Sequence, residues 1–223
     1  MYYNLNVFRI IYLSMKLIFC DINANLIKSL HKYFKQDLNI KIVHGSIFDV
    51  DCNAIVSPAN SYGFMDGGLD LRISQFFGWH VQEKLQEIIK EKHHGELLVG
   101  CAEIVETNHD LIPYVISAPT MRVPMILKDS VNIYLATRAV LILVKYGKFS
   151  NGTFINEKVK SIAFSGMGTG VGRVSYDVCA LQMRRAVEDI FYERTDFPKT
   201  WREAQQNHQL LYRRDTPDLQ FEI

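Results

Sequence analysis

One stretch constrains this chain more than any other. An apolar run, Ala54-Ile55-Val56, passes through Ser57-Pro58-Ala59-Asn60-Ser61-Tyr62-Gly63-Phe64-Met65-Asp66-Gly67-Gly68-Leu69-Asp70 into a helical pattern over residues 71–92. That is a strand, a loop with three glycines, and the start of a helix. Glycines without a Cβ let backbone N–H groups approach a ligand closely. A helix N-terminus adds unpaired N–H groups and a partial positive charge, a combination suited to phosphate. The stretch also carries the amide of Asn60 and the carboxylate of Asp70, groups able to do more than hold a phosphate.

The rest of the chain repeats the alternation. Strands are expected over residues 16–21, 40–44, 54–57, 96–106, 114–118 and 161–164. Apolar residues at helical spacing mark helices over 24–35, 71–92, 129–146 (capped by Asp129 or Ser130) and 175–192, with one more over 199–211. Strands alternating with helices predict a three-layer α/β/α fold on a mixed, mostly parallel central sheet. In such sheets ligands sit beyond the carboxyl ends of the strands. A second glycine-bearing loop, Ser165-Gly166-Met167-Gly168-Thr169-Gly170-Val171-Gly172-Arg173, follows the last strand. Two such loops at one sheet edge would clamp a diphosphate from both sides. The second loop has neither the GxGxxG spacing of dinucleotide folds nor a Walker lysine.

Length and composition narrow the classes. With 223 residues, one domain is expected over residues 15–192, preceded by an extension over 1–14 and followed by a helix and tail over 193–223. The opening residues lack the basic cluster and cleavage site of a signal peptide, and their apolar run is too short to span a membrane. A net charge of +1 gives no electrostatic footprint for nucleic acid or an anionic membrane. Cys20, Cys52, Cys101 and Cys179 form no CxxC pair and lie in apolar contexts, as expected of reduced core thiols in a cytoplasmic protein. No metal site and no cofactor are expected. Trp79 is expected to be buried, and His93-His94 to serve a helix end.

Residues 53–60, Asn-Ala-Ile-Val-Ser-Pro-Ala-Asn, followed by Gly67-Gly68-Leu69-Asp70, resemble the signature of the macro domain, Asp-Ala-Ile-Val-Asn-Ala-Ala-Asn followed by a glycine run and Val-Asp. Ser165 to Gly172 resembles that family's second, diphosphate-covering loop. Gly45-Ser46-Ile47-Phe48 resembles its short Gly-Asp-Ile-Thr element. The resemblance covers roughly residues 41–192. It implies binding of ADP-ribose or an ADP-ribosylated substrate and, since the step from Asn60 to Asp70 matches the hydrolysing members, cleavage of an ADP-ribosyl linkage. Asn60 and Asp70 are then the candidate catalytic pair. Ser46, Ile47, Ala59, Gly67, Gly68, Leu69, Gly168, Thr169, Gly170, Val171 and Gly172 are the candidate ligand-binding residues. The chain departs from the signature at Ser57 and Pro58, at Met65-Asp66 in the glycine run, and at Ser46, where the family carries the aspartate that recognises adenine. Asp21 is a candidate to supply that carboxylate, its alternative being a turn or cap before the next helix. A binding module without turnover, and an inert structural or interaction module, are the competing functional classes.

Overall fold

The computed structural model describes residues 15–35 and 37–219; the expected extension over residues 1–14 lies outside them. Among the described residues six strands and seven α-helices follow one another: β1 (Lys16–Asp21), α1 (Ala24–Tyr33), β2 (Ile40–His44), β3 (Ala54–Ser57), α2 (Gly68–Phe77), α3 (His80–Lys92), β4 (Glu103–Glu106), β5 (Tyr114–Ser117), α4 (Asn132–Tyr146), α5 (Ile155–Lys158), β6 (Ser161–Phe164), α6 (Tyr176–Ala186) and α7 (Trp201–Gln209). The strands form one sheet in the order β2-β1-β6-β3-β5-β4, parallel throughout except for antiparallel β4 at one edge.

Strand alternation divides the core between the two sheet faces. Leu17 and Phe19 of β1, Ala54 and Val56 of β3, Ile116 of β5, and Ile162 and Phe164 of β6 pack with α1, α4 and α6. Ile18, Ile55, Val115 and Ala163, one residue out of phase, pack with Ile73 of α2 and with Val81, Leu85 and Ile89 of α3. Helices on both faces explain why the parallel strands read as continuous apolar runs. Among the described residues no helix is long and apolar enough to cross a membrane.

Several expected boundaries move. The helix expected over 71–92 starts earlier, at Gly68, and breaks at Gly78, whose φ of 103° leaves the helical region. A Cβ at Gly78 would lie 2.9 Å from the His80 ring, so only glycine fits the break. Trp79, expected to be buried, stands at this break and is 48% exposed, because the chain turns there outside either packed face. The strand expected over 96–106 narrows to Glu103–Glu106, the part lying against β5, preceded by an isolated bridge between Val99 and Cys101. The helix expected from residue 129 begins at Asn132, and the Ser130 hydroxyl donates instead to the Leu127 carbonyl, 3.0 Å away. The helix expected over 175–192 is capped by Ser175 and widens into a π turn over Val187–Phe191.

Strands β3 and β6 are neighbours. Both glycine loops therefore leave the same edge of the sheet side by side.

Candidate ligand site

A cleft of about 730 Å³ opens along that edge. The ends of all five parallel strands contribute to it: Cys20 and Asp21 at the end of β1, Gly45 and Ser46 after β2, the segment from Pro58 to Asn60 after β3, Thr120 and Met121 after β5, and the loop from Ser165 to Gly172 after β6. This is where ligands of open α/β sheets bind.

The first loop is held as a preset shape. Beyond β3 it continues to pair with the segment after β5: the Thr120 N–H donates to the Ala59 carbonyl (3.0 Å) and the Ser61 N–H to the Arg122 carbonyl (3.1 Å). The Asn60 amide clamps the turn from within. Its Oδ1 accepts the N–H groups of Tyr62 (3.1 Å) and Phe64 (3.3 Å), and its Nδ2 donates to the Phe64 carbonyl (2.7 Å). An amide nitrogen has two hydrogens, so one Nδ2–H remains beyond this clamp. Helices α2 and α3 staple the far side. The Ser74 hydroxyl donates to the Met65 carbonyl (3.0 Å), and Gln82 Oε1 accepts the Met65 N–H (2.7 Å). These side-chain bonds fix a loop with fewer glycines than the signature it resembles.

Gly67 is the N-cap of α2, and Gly68 adopts a left-handed φ of 57°. A Cβ on either would meet open space. The first N–H of α2 with a helical acceptor belongs to Leu71, bonded to the Gly67 carbonyl at 3.2 Å, so those of Gly68, Leu69 and Asp70 have no acceptor within the helix. The second loop is a compact turn. The Arg173 N–H closes on the Gly170 carbonyl (3.1 Å), the Val174 N–H on the Gly168 carbonyl (3.1 Å), and the Leu127 N–H on the Gly172 carbonyl (2.8 Å). Among the described residues, the N–H groups of Gly168 to Val171 have no protein acceptor. The two loops thus border the cleft with two rows of unpaired backbone donors, an anion-binding arrangement.

Asp70 is the third residue of α2, inside its first turn rather than at the cap. It lines the cleft while remaining 8% exposed, and it accepts a hydrogen bond on Oδ1 from the Ser57 hydroxyl at the end of β3. Burial pushes its carboxyl up to about 6; the Ser57 bond pulls it down and the nearby charge of Asp66 pushes it up. A carboxylate poised near neutral pH in a cleft is a signature of acid–base chemistry. The Cys20 thiol is unsuited to such work, since burial pushes it up to about 11.

On the β1 side, Asp21 accepts the N–H of Asn23 on Oδ1 (2.8 Å) and that of Gly166 on Oδ2 (2.9 Å). It is a turn residue and also a tether for the second loop. Ser46 caps the short 3-10 turn over Ile47–Asp49, its Oγ accepting the Phe48 N–H at 3.2 Å.

The macro domain family model matches residues 56–183, more than half of the chain. The chain belongs to the macro domain family. A relative from Aquifex aeolicus, an uncharacterized protein, is 35% identical over 153 residues, covering 69% of this chain and 81% of its own. Among solved structures, a mutant Oceanobacillus iheyensis macrodomain with ADPR superposes with a TM-score of 0.55 at 20% identity, over 68% of this chain and 77% of that one. Thermosipho africanus DarTG in complex with ADP-ribose superposes with a TM-score of 0.53 at 17% identity, over 80% of this chain and 50% of that one. At these identities the two structures establish the fold.

Every residue singled out in the sequence as catalytic or ligand-binding lines the macro domain cleft. Among aromatics of the flanking segments, Phe64 lines the cleft, Tyr62 lies against Arg122, and the Tyr176 hydroxyl accepts from Asn23 Nδ2 at 2.8 Å. Sequence reasoning missed Thr120, Met121 and Pro124, which follow β5, as well as Phe48 and Arg72. The strand-end rule would have found the first group once β5 was placed beside β3. Phe48 closes the Gly45-Ser46-Ile47-Phe48 element, which marks its segment; no local signal marks Arg72.

Proposed function

We propose that this macro domain binds ADP-ribose or an ADP-ribosyl derivative and hydrolyses an ADP-ribosyl linkage. The two rows of free backbone N–H groups from Gly67, Gly68 and Gly168 to Val171 would hold the diphosphate. One observation carries the hydrolytic part of the reading: a buried carboxylate, Asp70, borders the same cleft with its carboxyl raised to about 6. At neutral pH such a group is mostly ionised. It accepts the proton of a water that attacks the anomeric carbon of the distal ribose, while the bond to the leaving group breaks and that group departs with a proton from solvent. A weak base suffices because charge builds up on the sugar as an oxocarbenium ion. The spare Nδ2–H of Asn60 is available to a ribose hydroxyl. Four free cysteines, three of them buried, support a reducing, cytoplasmic setting.

One observation favours a second reading, a binding module without turnover: most of the Asn60 amide is spent on its own loop. Calorimetric titration with ADP-ribose tests binding, expected at about micromolar strength; no heat and no thermal shift would refute it. Incubation with a mono-ADP-ribosylated protein or nucleic acid tests turnover. Release of ADP-ribose that falls about 100-fold in Asp70→Ala supports hydrolysis. Binding without release supports the module.

A further inference from the structure

We propose that Ser57 is a positioning residue for Asp70, its buried hydroxyl fixing the carboxylate at the edge of the cleft and keeping it ionised. The inference deepens the hydrolytic reading and rests on it. Ser57 closes β3 at 1% exposure and does not line the cleft, so it acts on a ligand only through Asp70. Alternation along β3 puts it on the face of Ile55, the side covered by α2 and α3, beneath the turn that carries Asp70. Its O–H donates to Asp70 Oδ1. An apolar residue there would leave a nearly buried carboxylate without this donor.

The surroundings make that donor decisive. Burial and the neighbouring charge of Asp66 both favour the protonated acid, and the Ser57 bond opposes them. Arg72, two residues on, is exposed and lines the cleft, while the α3 side chains that reach the loop, Gln82 and Gln86, are neutral and bonded to the Met65 N–H and the Tyr62 carbonyl. Ser117 occupies the same register on β5 and so turns to the same face as Ser57. Its hydroxyl is buried and has no partner among the described residues. The Ser117 and Ser57 hydroxyls are therefore register partners on this face, next to the carboxylate, while Glu103, the β4 partner of Ser117, is bonded to His93 at the C-terminal end of α3.

The test compares wild type, Ser57→Ala, Ser57→Thr and Ser57→Cys by two readouts: the carbon-13 titration of the Asp70 side-chain carboxyl in the free protein, and the pH profile of ADP-ribose release. Removing the donor favours the protonated acid. In Ser57→Ala the Asp70 midpoint should rise by about one pH unit. Release at pH 6 should fall about fivefold and recover by pH 8, carried by kcat rather than KM. Ser57→Thr keeps the hydroxyl and should restore the wild-type midpoint. Ser57→Cys, a weaker donor of similar shape, should give an intermediate one and decides the matter if the alanine variant does not fold. A midpoint unmoved or lowered in the alanine and cysteine variants, or a loss of kcat equal at every pH, overturns the proposal. If the wild type releases no ADP-ribose, the hydrolytic reading fails, and the titration alone still decides whether Ser57 governs Asp70.

Discussion

The carboxylate of Asp21, at the end of β1, accepts the backbone N–H of Gly166, at the start of the second glycine loop, over 2.9 Å. This bond ties the β1–α1–β2 unit, which precedes the residues matched by the family model, to the loop that borders the cleft. Its removal in Asp21→Ala leaves two backbone donors, those of Asn23 and Gly166, without their acceptor. An orphaned buried donor costs about 1–3 kcal/mol. The variant should unfold at lower temperature and bind ADP-ribose about tenfold more weakly. Unchanged melting and affinity would mean that the tether is dispensable.

The second loop separates fold from ligand approach at two glycines. A Cβ on Gly172 would lie 2.5 Å from the Gly168 carbonyl oxygen and 2.9 Å from Leu127, a clash with backbone that cannot yield cheaply. A Cβ on Gly170 meets nothing and points into open space beside the cleft. Gly172→Ala should therefore destabilise the protein by about 2 kcal/mol or more, whereas Gly170→Ala should stay within about 0.5 kcal/mol of wild type. Gly170→Ala should nonetheless weaken ADP-ribose binding, since its methyl group occupies the approach to the free N–H row. Thermal unfolding and calorimetry on the same two proteins read these effects apart.

Asp70 makes stability depend on pH in a direction opposite to that of a salt-bridged carboxylate. Its folded pKa, about 6, lies above the ordinary 3.8. The folded state therefore holds the proton more tightly, and stability falls as pH rises through that window. Asp70→Asn removes the buried charge. It should be more stable than wild type at pH 7.5 by about 3 kcal/mol, with the advantage disappearing below pH 4. Denaturant melts at the two pH values check this. An asparagine variant less stable than wild type at pH 7.5 would contradict it.

Gln82 of α3 accepts the Met65 N–H at 2.7 Å, and Met65 itself is buried. Gln82→Leu keeps the bulk and orphans that donor. We expect a loss of about 1–3 kcal/mol in stability and weaker ADP-ribose binding, because the first loop loses one of its staples. Amide hydrogen exchange at Met65 should accelerate; unchanged exchange would show that the loop is held by other contacts.

The local chemistry of this chain is legible residue by residue. Apolar runs one residue out of phase across two helical layers specify the strands, and periodic apolar residues specify α1, α4 and α6. Glycines at 67, 68, 168, 170 and 172 specify loops whose backbone is free to meet an anion. The signature around Asn60 and Asp70 points to the family. These features are written in neighbouring residues, so the sequence by itself determines them.

The tertiary structure decided which distant groups meet. The helix break at Gly78 lets α2 lie against β3 and α3 against β4, a demand no helical period reveals. Asn60 carries an amide suited to a ligand, yet its loop claims most of it. Ser57 reads as a lost asparagine, and only the crossing of α2 over the end of β3 makes it the hydrogen-bond donor to Asp70. Asp21 reads as a turn residue, and only the insertion of β6 between β1 and β3 brings Gly166 to its second oxygen. Each pairing spans from 13 to 145 residues of chain. Burial and partner choice at such separations follow from how layers pack, and that packing sets the charge state and the reach of every polar group in the cleft.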